Sequence, residues 1–169
     1  MKSNFMQETI EILKKVEHSK IEQLKNIIDK HDEIILIGNG GSNSIASHIS
    51  QDYTKFLKKK SFSFSDPSRL TCYINDYGME NAYKIFLEEF SKKDTLVILI
   101  SSAGESKNIY NCSKFCEENN ISFIILTGFK YNNSIRTDFA NSAKLEFWID
   151  SESYGVVECV HQTILHSVV

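Results

Sequence analysis

Two short stretches carry residues suited to holding an anion. Gly38-Asn39-Gly40-Gly41-Ser42 lies between an apolar run and an amphipathic one. Glycines let backbone N–H groups approach an anion closely, and a helix N-terminus favours negative charge. The competing reading is a tight strand-to-helix turn with a serine cap. Ser101-Ser102-Ala103-Gly104-Glu105-Ser106 again follows an apolar run. Its hydroxyls and glycine would make a neutral phosphate cradle that needs no lysine. Alternatively, Ser102 or Ser106 only caps the helix that follows. Two such loops after two strands of one sheet favour a phosphorylated small molecule. GNGGSNS lacks the third glycine and the spacing of the dinucleotide fingerprint, so no nucleotide cofactor is expected.

Proton-transfer or metal-binding groups follow. His48 and Asp52 lie four apart, on one face of a helix. Such a pair can chelate a metal or hold a base with its orienting partner, and it can equally be a solvated surface pair. The last helix carries Glu158, His161 and His166. His166 lies eight positions beyond Glu158, about 12 Å along the axis. It sits among apolar residues, where a lone histidine is more often a core residue than a ligand.

The elements that must position these groups alternate. The first 30 residues read as helix, from the spacing of Ile10, Leu13 and Val16 and then of Ile21, Leu24 and Ile28. Residues 33–37, 95–100 and 121–127 are short continuous apolar runs, as in strands buried on both faces. Weaker strands are expected at 61–65 and 144–149. Helices are expected at 42–56, 67–74, 80–91, 105–118 and 156–169, and Asn75-Asp76-Tyr77-Gly78 reads as a turn. The alternation predicts an α/β fold, a three-layer αβα sandwich on a five-stranded parallel sheet. Ligands bind such sheets at the carboxyl ends of the strands.

Composition agrees. The chain has 169 residues, 41% hydrophobic and 24% charged, with a formal net charge of −3. That suits one folded domain over 1–169, a helical region at 1–30 followed by an α/β core at 31–169. Interleaved charge argues against a nucleic-acid partner, and Lys58-Lys59-Lys60 reads as a solvated loop or helix end. The N-terminus reads as neither a signal peptide nor a membrane span, so a cytoplasmic protein with no membrane partner is expected. Cys72, Cys112, Cys116 and Cys159 read as buried free thiols; a Cys112–Cys116 metal pair is the lesser alternative.

Taken together, the residues resemble a family. From Ile34 onward the chain is similar to the SIS-domain (sugar-isomerase) phosphoheptose isomerases. GNGGS at 38–42 is followed by a helix with His48. NDYG at 75–78 comes ten residues after Asp66 for its aspartate. ISSAGESKN at 100–108 and ECVHQTILH at 158–166 complete the match.

The resemblance implies a flavodoxin-like fold, a homotetramer, and interconversion of sedoheptulose 7-phosphate with an aldoheptose 7-phosphate for surface polysaccharides. It implies that Ser42, Ser101, Ser102 and Ser106 hold the phosphate. The glycines Gly40 and Gly41 would line the site, and Asn39, Asp76 and Glu158 would contact substrate. Asp52 and His166 stand where the family has its catalytic glutamate and histidine. A zinc set would be His48, Asp52, Glu158 and His166, two imidazoles and two carboxylates.

Departures are visible. Asp52 is one methylene shorter than the family's Glu. Glu158 replaces Gln, Ala103 replaces a serine, Val156 an arginine, and Lys55-Phe56 a Gly-Arg pair. Two other readings remain: a non-catalytic SIS binding protein, like the replication regulators of this kind, and an isomerase of another phosphosugar.

Overall fold

Runs such as Ile34–Ile37 and Leu96–Ile100 put branched apolar side chains on both faces of an extended chain. Only a central strand covered on both sides can bury them. The computed structural model describes residues 4–169 and shows this arrangement. Five strands, β1 (Glu33–Gly38), β2 (Lys60–Ser63), β3 (Leu96–Ser101), β4 (Ser122–Gly128) and β5 (Leu145–Ile149), form one parallel sheet in the order β2-β1-β3-β4-β5. Every residue of β1 and β3 is buried.

Eight helices are found among the described residues: α1 (Phe5–Leu13), α2 (His18–Asp29), α3 (Gly40–Lys55), α4 (Pro67–Tyr77), α5 (Met79–Phe90), α6 (Lys107–Glu118), α7 (Ser134–Phe139) and α8 (Tyr154–His166). They cover the sheet in two layers. Ile34, Leu36, Ile98 and Ile100 face α1, α2, α3 and α8, with Leu24, Ile28, Ile49, Val160 and Leu165 in the same core. Ile35, Ile37, Val97 and Leu99 face α5, α6 and α7, against Phe86, Leu87, Ile109 and Phe139. Alternate residues of a strand point to opposite faces, so each continuous apolar run serves both cores.

Several local expectations need correction. The N-terminal helical region is two helices, broken at residues 14–17. Asn75-Asp76-Tyr77 is not a turn: α4 runs through Tyr77 and stops only at Gly78, whose φ is 74°. The six-residue α7 lies where no element was expected, capped by the Asn133 side chain accepting from the Arg136 N–H. Of the cysteines, Cys72 and Cys159 are exposed and only Cys112 and Cys116 are buried. Burial pushes both thiols up, Cys116 to about 12, which suits packed neutral thiols rather than a thiolate metal pair. The apolar sides of α8 are covered by this chain's own core: Val156, Val157, Val160, Ile164 and Leu165 are all buried. No helix among the described residues is long and apolar enough to cross a membrane.

Candidate functional site

The strand order reverses direction at β1 and β3, which are neighbours in the sheet but lead to opposite sides of it. At such a switch point the loops leaving two adjacent strands part and open a crevice at their carboxyl ends. The loop after β1 is Asn39 and the start of α3; the loop after β3 is residues 102–106.

Neither loop spends its serines on capping. Asn39, not Ser42, is the N-cap of α3, and Ser42 lies buried in the first turn. Ser106 is the N-cap of α6, yet its side chain makes no capping bond. Ser101 and Ser106 bring their hydroxyls to 3.4 Å. The Ser102 hydroxyl is buried with no hydrogen-bond partner. A buried unpartnered hydroxyl costs free energy unless a ligand or water completes it. If the hydroxyls form an anion cradle, replacing Ser102 or Ser106 with Ala is expected to weaken binding of inorganic phosphate by about 1 kcal/mol or more per lost bond. Calorimetry tests this, and unchanged affinity in both variants would remove the cradle.

The second loop is pinned from outside. The Ile135 N–H donates to the Gly104 carbonyl at 3.0 Å. The Ser134 N–H and hydroxyl both donate to the Glu105 carboxylate. Gly104 has φ 68°, and its α-carbon lies against the Asn133 side chain. The two loops are also joined to each other. Asn39 Nδ2 donates to Asn108 Oδ1 at 2.9 Å, and Asn108 Nδ2 donates back to Asn39 Oδ1 at 2.8 Å.

Further along α3, His48, Asp52 and His166 come together. One carboxylate oxygen, Asp52 Oδ2, lies 3.3 Å from His48 Nε2 and 3.4 Å from His166 Nδ1. The other, Oδ1, accepts from Gln51 Nε2 at 3.2 Å. The imidazole rings meet edge to face, with centroids 5.1 Å apart. Asp52 is nearly buried, while the two histidines are partly open to solvent.

Tyr53, next to Asp52, braces this group. Its hydroxyl donates to the carbonyl of Leu165, next to His166, at 3.0 Å, and both residues are fully buried. Leu165 lies in the last turn of α8, where carbonyls lack intrahelical partners. The tyrosine thus satisfies one of them and ties α3 to α8.

One potential ligand atom from each of His48, Asp52 and His166 lies within 4.8 Å of the others. Two imidazoles and a carboxylate, with room for a further ligand, suit a divalent metal such as zinc. Glu158 does not join them. Its carboxylate rests against Gly41 at the start of α3, so closely that a Cβ there would overlap it.

Asp76 stands apart as well, exposed on α4 and hydrogen-bonded to Asn75 and Cys72 of the same helix. His161 is wholly buried, with Nε2 3.1 Å from the Thr127 carbonyl. Burial lowers its pKa to about 4, which leaves a neutral core histidine. The sequence reading did not single out Asn108, Asn133 or Tyr53. Asn108 lay within a quoted motif, and Asn133 stands two residues before an isoleucine, an N-cap signal too short to stand alone.

A parallel sheet of this order, with hydroxyl-rich loops at its switch point and an acid–imidazole group on the flanking helices, has the fold of the phosphoheptose isomerases. The chain superposes on the phosphoheptose isomerase GmhA of Neisseria gonorrhoeae with a TM-score of 0.86 at 20% identity, covering 98% of this chain and 91% of that one. In sequence it is 29% identical over 153 residues to a phosphoheptose isomerase of Fusobacterium nucleatum, 88% of this chain and 76% of that protein. It is 30% identical over 104 residues to the one of Histophilus somni, 59% of this chain and 53%, about half, of that protein's length. No family model matches. The chain is a divergent relative of the SIS-domain phosphoheptose isomerases.

Proposed function

We propose that the chain is an aldose–ketose isomerase of phosphosugars, with sedoheptulose 7-phosphate and D-glycero-D-manno-heptose 7-phosphate as its foremost substrate pair. The observation that carries this reading is the Asp52 carboxylate set between two imidazoles on the helix that begins at the first loop. Ser42 and His48 are six residues apart on α3, about 9 Å along the axis. A sugar held by its phosphate at the loops can therefore present its other end to Asp52 and His166.

Isomerisation moves a proton between C1 and C2 through an enediol. Asp52 takes the proton from C1 of the ketose and returns it to C2. His166 gives a proton to the oxygen at C2 as the carbonyl there becomes a hydroxyl, and recovers one from the hydroxyl at C1. The loops fix the phosphate, so that its binding energy positions the reacting carbons. When a divalent metal is bound, His48, Asp52 and His166 would hold it, and it would stabilise negative charge on the substrate oxygens. Glu158, on α8 with its carboxylate against Gly41, would face the sugar rather than ligate the metal. The product would supply heptose for surface glycans made from the cytoplasm.

Incubation with a panel of ketose phosphates, followed by NMR for aldose formation, tests the reading. Binding of a ketose phosphate without any isomerisation would overturn it in favour of a sensor or regulator.

The assembly proposed is a homotetramer. Phe5, Met6 and Ile10 of α1 and Tyr154 at the start of α8 are 47%, 69%, 44% and 59% exposed. Phe5 lies close to Gly155, so the two sets adjoin. An exposed apolar patch of this kind favours association. Sedimentation at micromolar concentration is expected to show a tetramer; a stable monomer would refute it.

A further inference from the structure

The reciprocal pair between Asn39 and Asn108 has no part in the chemistry described so far. We infer that Asn108 is a positioning residue, which sets the orientation of the Asn39 amide against the substrate. The inference rests on the isomerase reading for its substrate and on the pair's geometry for its mechanism.

Two primary amides that exchange hydrogen bonds in both directions can do so in one mutual orientation only. Each uses one N–H and one carbonyl lone pair, and each keeps one of both. A flip of either amide alone would set N–H against N–H and oxygen against oxygen, so the two can turn over only together. Here both bonds are of ordinary length, 2.9 and 2.8 Å. Asn108 is 4% exposed, packed in the first turn of α6, so it is the more confined partner. Asn39 is only half-buried, at the mouth of the crevice between β1 and β3. Its remaining N–H and lone pair are therefore held in a set plane where a sugar hydroxyl would lie.

The pair also spans the two loops directly, since Asn39 immediately precedes α3 and Asn108 lies two residues after Ser106. Beyond the β1–β3 pairing, these two side chains lock the two loops in register. Without Asn108 the Asn39 amide is free to flip and rotate, and the substrate's reacting end loses its fixed angle to Asp52.

The test is a double-mutant cycle on kcat and KM, with thermal midpoints measured alongside. Asn108→Asp keeps the size but cannot donate to Asn39, and Asn108→Ala removes both bonds. Each is expected to lower kcat about tenfold, with KM changed less than about threefold. Inhibition by inorganic phosphate should stay the same, because the hydroxyl cradle is intact. In an Asn39→Ala background, Asn108→Ala should change kcat by less than about twofold, since nothing remains to orient. Equal losses in both backgrounds, or a lowered thermal midpoint with kcat untouched, would reduce Asn108 to a packing residue and overturn the inference.

A wild type that isomerises no ketose phosphate would defeat the proposed function separately. The cycle is then read on calorimetric affinity. Asn108→Asp should weaken sedoheptulose 7-phosphate and spare inorganic phosphate. Equal weakening of both, or of neither, overturns the inference, as does a wild type that binds neither.

Discussion

Asp52→Asn and His166→Ala are each expected to lower isomerase turnover by about 100-fold or more, the usual scale for losing an acid or base in contact with the reacting atoms. The two side chains come from different helices and meet at 3.4 Å. Asn at position 52 keeps the shape and can still receive a hydrogen bond from Gln51, but it cannot take a proton from carbon. Affinity for inorganic phosphate should be unchanged in both variants, because the loops at Ser42 and Ser101–Ser106 are not touched. Asp52→Glu adds the methylene that the family resemblance implies, and turnover is expected to hold or rise. Rates measured by NMR, with phosphate inhibition as the internal control, decide the matter. A loss under about threefold in both variants would place the chemistry elsewhere.

Gly104→Ala is the second large effect. At φ 68° a side chain costs about 1–2 kcal/mol by itself. The added Cβ would also overlap the amide of Asn133. That amide has little freedom to give way. It is fully buried, donates to the carbonyls of Gly128 and Lys130, and accepts from the Arg136 N–H in the first turn of α7. The loop would have to move instead, breaking the bond from the Ile135 N–H to the Gly104 carbonyl. The expected result is a loss of about 2–4 kcal/mol of stability in urea unfolding, together with weakened phosphate binding. A loss no larger than the backbone cost of about 1 kcal/mol would mean that Asn133 moves aside at little cost.

Both predictions depend on contacts between residues far apart in sequence, and that separates what was legible from what was not. Five strands could be read because a run such as Ile34–Ile37 has few alternatives: it is too short for a buried helix and too apolar for a loop. Their alternation with amphipathic helices made the sheet parallel, and the Gly- and Ser-rich stretches after Ile37 and Ile100 marked its working end. His48 and Asp52 could be paired from helical spacing alone. The resemblance to phosphoheptose isomerases was likewise carried by short motifs in order along the chain.

Other features had no local signal. Residues 14–17 break the N-terminal helix, and α7 has only six residues, so its ends are set by what it packs on rather than by propensity. Asp76 read as part of a turn because Asn, Asp and Gly favour turns, yet packing of α4 against α5 carried the helix on to Tyr77. Sequence could nominate Glu158 and His166 together for one metal. The rise of α8 and the docking angle of that helix on α3 set His166 beside Asp52 and left Glu158 at Gly41. Residue types and spacing along one element are one-dimensional and determined the fold class and the candidate chemistry. Which side chains meet, as with Asn39 and Asn108 or Tyr53 and the Leu165 carbonyl, depends on how separate elements pack in three dimensions, and only the tertiary structure decided it.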